Sequence, residues 1–261
     1  MSEGNDLDLV GTDGDPLGEA RRLAEGAAAA NVQLRLLGGL AVRVLCPDFT
    51  PRVRRDQDID FACLAKGRKA VAAHLEAAGC EADRRFNALN GERQMYFTAP
   101  SGRPIDVMVD QLTMCHTLDF RPRFSALPIT LDAVDLLLTK LQIVELNEKD
   151  AHDCVHLLSA YGVVGAPGEP TGTGIDAGRF AKVVGGDWGW WRTVTGNLEK
   201  LTHIVEQRPE LRPPTAQFDV LANAQSLLNV AHTTPKSVTW KMRAKIGDRL
   251  RWYELPEEVA H

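Results

Sequence analysis

The chain has 261 residues, 44% of them hydrophobic and 25% charged, and a formal net charge of -5. That length supports one large domain or two smaller ones with ordinary globular cores, and the negative balance argues against nonspecific coating of a polyanion while leaving room for a local basic patch. The five cysteines, Cys46, Cys63, Cys80, Cys115 and Cys154, form no CxxC pair, which removes a zinc ribbon or thioredoxin-like site and suits small core residues in a reducing compartment.

Residues 1–16 are acidic and glycine-rich, with Asp6, Asp8, Asp13 and Asp15, and lack the basic start and apolar run of a signal peptide. They read as a disordered acidic tail. An Ala-rich helix is expected over 17–30 and a short strand over 32–37, running into Gly38-Gly39 and a helix over 40–45. The apolar window 27–46 is broken by Asn31, Arg35, Gly38, Gly39 and Arg43, so it does not span a membrane and a cytoplasmic location is the simplest expectation. A loop at 47–53 precedes a strand at 57–62, and a helix over 66–78 is closed by Gly79. Strands are expected at 81–86, 94–98 and 104–110, with turns at 87–92 and 100–103 marked by Asn-Gly and Ser-Gly. Beyond Pro128 helical periodicity takes over, at 131–145, 148–161, 176–184, 188–207, 215–230 and 237–253, with a Gly/Pro/Thr-rich linker at 162–174. The expected architecture is α+β: a small mixed sheet with flanking helices over 17–127, then a helical bundle over 128–261.

Chemistry concentrates in three places. Asp58 and Asp60 lie two apart on a strand and so share a face. Asp106, in the alternating run Ile105-Asp106-Val107-Met108-Val109, stands opposite the apolar positions of its own strand. Three carboxylates gathered on one sheet edge are oxygen donors suited to Mg²⁺, and two ions in such a site clamp attacking and leaving oxygens. Gly38-Gly39, between strand and helix, leaves backbone N–H groups open to phosphate. Lys140 interrupts an apolar helix and can neutralise phosphate charge, while Asp150 and Asp153 share one face of the next helix and can hold that lysine. A DxD pair is common by chance, a Gly-Gly can serve only a tight turn, and a Lys–Asp contact can be a plain bridge between packed helices. Each feature alone is therefore weak.

In combination the order Gly-Gly, Arg, DxD, third Asp, Lys and Lys-Asp-x-x-Asp resembles the DNA polymerase β-like nucleotidyltransferase superfamily. More narrowly, it resembles the AbiEii-type nucleotidyltransferase toxins of bacterial toxin–antitoxin pairs, over about residues 36–158. The matching segments are Gly38-Gly39-Leu40-Ala41, Asp58-Ile59-Asp60 and Lys149-Asp150-Ala151-His152-Asp153. The resemblance implies an arginine just before the DxD, which Arg54 matches and Arg55 can replace. It implies that Gly38, Gly39, Arg54, Arg55 and Lys140 bind a nucleoside triphosphate, and that Asp58, Asp60 and Asp106 hold Mg²⁺. Asp150 would orient Lys140. It further implies a tRNA 3′ end as acceptor and a cognate antitoxin. Two departures stand out: a longer gap between Gly39 and Asp58, and no arginine between Lys140 and Lys149, where Gln142, Glu145 and Asn147 occur.

The rival readings are an antibiotic nucleotidyltransferase, a non-catalytic nucleotide-binding module on the same fold, and a glycosyltransferase using the DxD. Trp188, Trp190 and Trp191 read as a helix anchor or a base-stacking platform. Lys241, Arg243, Lys245, Arg249 and Arg251 read as a solvated face or an RNA phosphate contact.

Overall fold

A computed structural model describes residues 15–49, 58–165 and 173–255. The chain is mixed α+β and divides into two compact units, the first of residues 1–44, 51–111 and 121–131, the second of 45–50, 112–120 and 132–261.

The first unit is built on a mixed sheet. Helix α1 (Pro16–Ala29) starts where the Asp15 carboxylate accepts the N–H groups of Leu17 and Gly18, two of the donors a helix start leaves open. Strand β1 (Leu34–Leu36) leads into α2 (Gly38–Leu45), and β2 (Ile59–Cys63) follows. A single 3-10 turn precedes α3 (Arg68–Ala77), which ends before Gly79 at φ +89°, a left-handed conformation that a glycine adopts without steric cost. Then come β3 (Glu81–Ala82), α4 (Arg84–Asn90), β4 (Gln94–Thr98) and β5 (Pro104–Val109). The strand order is β1-β2-β5-β4-β3; β2 and β5 run parallel and the other neighbours antiparallel. One sheet face is the core, where Ile59, Phe61, Phe97, Ile105 and Val107 are all fully buried. Alternation along β2, β4 and β5 then turns Asp60, Tyr96 and Asp106 to the other face.

The segment after β3 corrects the sequence reading. The expected strand 81–86 ends after two residues, and the expected turn at 87–92 is largely helix. Asp83 is the reason: its side chain accepts the Phe86 N–H at 2.8 Å, which starts a helix and outweighs the Asn-Gly signal.

The second unit opens with a hairpin the sequence reading did not foresee, β6 (Gln111–Thr113) and β7 (Thr117–Asp119). Helices α5 (Ala133–Leu141) and α6 (Glu148–Ala160) follow, then the short parallel pair β8 (Val163–Val164) and β9 (Ile175–Asp176); β8 falls inside the expected linker 162–174, and β9 directly follows it. Helices α7 (Ala177–Gly186), α8 (Trp188–Gln207), α9 (Val220–Thr233) and α10 (Val238–Ile246) complete it. The expected helix at 215–230 begins at Val220, after the Asp219 cap. The expected helix at 237–253 stops at Ile246, because Gly247 turns left-handed at φ +59°. Two buried asparagines close helix ends: Asn197 donates to the carbonyls of Leu141 and Ile143, and Asn223 to those of Leu158 and Tyr161. Arg179 ties α7 to Asp135 of α5 and to the Asp119 carbonyl of β7.

Candidate active site

In the first unit, register places the acids. On the parallel pair β2/β5, Asp60 stands directly opposite Asp106, and both are half-buried on the same face. Neighbouring strands lie about 4.8 Å apart, so these carboxylates are adjacent groups. Asp58 precedes β2 by one residue and is exposed. The sequence expectation of a strand beginning at 57 is therefore corrected: Asp58 sits on the lead-in, and Asp60 alone of the DxD lies in the strand. Arg54 and Arg55, the expected phosphate ligands before the DxD, lie outside the described residues.

The Gly-Gly turn closes onto this pair. The Leu37 N–H donates to the Asp60 carbonyl at 2.9 Å, fastening the end of β1 to β2. Gly38 then has φ +71°, and a Cβ there would stand 2.2 Å from Asp60 Oδ2. Only a glycine fits, both for its backbone and for the carboxylate pressed against it. Gly39 follows, half-buried, in the first turn of α2.

Three groups that sequence reasoning missed frame Asp106. Gln94 Nε2 donates a hydrogen bond to Asp106 Oδ1. Tyr96 pairs with Asp106 across β4/β5, and its phenol is pushed up by burial first and then by Asp106, Asp58 and Asp83. Asn87 of α4 grips Tyr96 by both sides of its peptide, accepting its N–H at 2.6 Å and donating to its carbonyl at 3.0 Å, and the Phe86 ring lies 6.1 Å from the Tyr96 ring. The signal was present: in Gln94-Met95-Tyr96-Phe97, the apolar positions Met95 and Phe97 are core, which leaves Gln94 and Tyr96 on the carboxylate face.

The donors at this edge are all hard oxygens, as Mg²⁺ prefers. Among the described residues no group of three or more His, Cys, Asp or Glu side chains is gathered to hold a metal. What is gathered is a pair, with a glycine cradle against one member. Mg²⁺ keeps several waters and commonly takes one or two protein carboxylates together with substrate phosphates, so this donor set fits it.

The second unit holds the lysine of the expected signature. Lys140 Nζ lies 3.1 Å from Asp150 Oδ1 and 2.8 Å from Asp153 Oδ2, with all three side chains at most 15% exposed. The Asp150 contact is a hydrogen bond, whereas the Asp153 oxygen meets the ammonium as an ion pair without good alignment. Asn147 caps α6 and also donates to Asp150 Oδ2. Burial alone would lower the Lys140 pKa, but Asp153 and Asp150 outweigh it and hold it above its ordinary value. This lysine is always charged at neutral pH.

Trp188 and Trp190 are core residues, which settles them as anchors of α8. Trp190 packs 5.1 Å from the buried His116 ring, whose Nε2 meets Thr193 Oγ1 at 2.9 Å. On α10 the basic residues divide. Lys241 and Lys245 are exposed, while Arg243 turns back to the Gly247 and Leu250 carbonyls and stacks over Trp188 at 4.6 Å. Among the described residues no helix is long and apolar enough to cross a membrane. No family model and no curated protein matches the sequence.

Proposed function

We propose that this chain is a Mg²⁺-dependent nucleotidyltransferase that moves a nucleoside monophosphate from a nucleoside triphosphate to an acceptor hydroxyl. The reading rests on one observation: Asp60 and Asp106 in register on parallel strands, with Gly38 pressed against the Asp60 carboxylate at a strand-to-helix turn. Mg²⁺ held by Asp60 and Asp106 would supply positive charge to the phosphate oxygens, with the exposed Asp58, on the lead-in to β2, as the further carboxylate of the DxD. The chain's own part is positioning. Gly38 and Gly39 offer backbone N–H groups to phosphate where α2 begins. Asp106 accepts the proton of the acceptor hydroxyl as its oxygen bonds to the α-phosphorus and pyrophosphate leaves.

The acceptor in this proposal is an RNA 3′ hydroxyl, of tRNA by the resemblance, and the exposed Lys241, Lys245 and Arg249 are the basic groups that support it. A toxin role with a cognate antitoxin has the resemblance as its only support. The test is incubation with each α-labelled triphosphate, Mg²⁺ and either total RNA or an aminoglycoside. The expected result is label on tRNA-sized RNA, lost in Asp60→Asn and Asp106→Asn. Label on the aminoglycoside would reassign the acceptor, and no label on any acceptor would reject the enzyme.

A further inference from the structure

The geometry points to Gln94 as a positioning residue for Asp106, fixing the carboxylate so that it and Asp60 can share a divalent cation; this rests on the nucleotidyltransferase reading. Two carboxylates side by side repel, and a lone aspartate relieves the repulsion by rotating away about χ1 and χ2. Gln94 opposes that rotation. It sits on β4 diagonally from Asp106, on the same sheet face, and its Nε2 donates to Asp106 Oδ1. An amide N–H on a carboxylate oxygen favours the charged form and holds one rotamer. The strand beneath Gln94 is itself held, since Asn87 brackets the Tyr96 peptide two residues on and the Arg93 carbonyl accepts the Val109 N–H at 2.9 Å. The donor therefore stands on a fixed platform beside the acid, as groups behind metal-binding carboxylates characteristically do.

The test uses Gln94→Met, which keeps length and volume but removes the donor, and Gln94→Glu, which replaces the donor with a third carboxylate. Two readouts are independent of turnover. In the side-chain amide NMR spectrum without metal, the Gln94 NH₂ resonance should move on Asp106→Asn. Mn²⁺ binding to the full-length protein, followed by loss of the free-ion EPR signal, should weaken about 10-fold or more in Gln94→Met with an unchanged melting temperature. An unmoved amide resonance, or equal Mn²⁺ affinity in parent and Gln94→Met, overturns the inference. If the parent binds no Mn²⁺ while the amide resonance does move, the cation reading itself falls, although the Gln94–Asp106 contact is real. In Gln94→Glu, Mn²⁺ affinity unchanged or strengthened while Gln94→Met is weakened supports positioning with the added acid as a substitute ligand. Equal weakening in both variants supports the loss of the donor as the cause.

Discussion

Asp60 and Asp106 are 46 positions apart in the chain yet occupy the same rung of a parallel ladder. The rung exists because Ile59 and Ile105, one step earlier on each strand, are both fully buried and lock the register. A slip of either strand by one residue would carry that strand's acid into the core, which fixes the pairing strongly.

Asp60→Asn and Asp106→Asn should each reduce nucleotide transfer by about 10²-fold or more, the size of effect seen when one preorganised electrostatic group is removed. Melting temperature measured alongside activity should change little, because both residues lie on the half-buried face and both substitutions are isosteric. Parent-like transfer in either variant would end the proposal.

Gly38→Ala should be more damaging than its size suggests. The new methyl meets Asp60 Oδ2 at 2.2 Å and the backbone is left-handed at φ +71°. The conformational cost is about 1–2 kcal/mol before any clash is relieved, and relief displaces the Asp60 carboxylate. Urea denaturation should show the destabilisation, and transfer should fall with it. A variant as stable as the parent would mean the turn is not held as described.

Lys140→Ala should destabilise the second unit by about 3–5 kcal/mol, because two buried carboxylates lose their cation. The triple change Lys140→Met, Asp150→Asn, Asp153→Asn should recover much of that loss, since no charge is stranded. Because the folded lysine titrates above its unfolded value of 10.5, its contribution is complete below that pH and is lost only as pH rises through the raised folded value. Denaturation between pH 7 and pH 9 should therefore show no dependence that Lys140→Ala removes.

His116 should make the second unit acid-sensitive. Burial lowers its pKa from 6.5 to about 4, with Asp187 opposing weakly. Above pH 6.5 the ring is neutral in both folded and unfolded chains and stability is full. As pH falls from 6.5 toward 4 the unfolded chain gains the proton first, and about 3 kcal/mol is lost. His116→Asn should flatten that slope in urea titrations at pH 7, 5.5 and 4.5; an unchanged slope would show that other groups cause it.

The cysteines should be inert in the native protein. All five are buried, and burial pushes the Cys46 and Cys63 thiols to about 12 and Cys80 to about 11. A thiol reagent at pH 8 should label none of them until denaturant is added. Rapid labelling of the folded chain would show an open site.

Much of the local structure is legible from helical periodicity, and the helix starts carry a further local signal in side chains that accept backbone N–H groups. Asp15, Asp132, Asn147, Asp176, Asp187, Asp219 and Ser237 each cap a helix, and caps of this kind are visible one residue at a time. Asp83 caps α4 in the same way, and its cap outweighs the Asn-Gly turn signal. Period-two alternation likewise places Asp106 on the face opposite Ile105 and Val107 without reference to its pairing partner.

Pairing partners were beyond the sequence. Strand neighbours depend on which apolar faces meet in three dimensions, so periodicity alone does not set Asp60 on the same rung as Asp106, a convergence that only the resemblance implied, and nothing in the order of residues puts Gln94 on the Asp106 carboxylate. Nor could periodicity say that Arg243 turns inward while Lys241 and Lys245 face solvent. Local chemistry decides where a segment starts, stops and turns its apolar side. Long-range burial decides which charged groups become neighbours, because only the closing of the core brings distant strands to one rung.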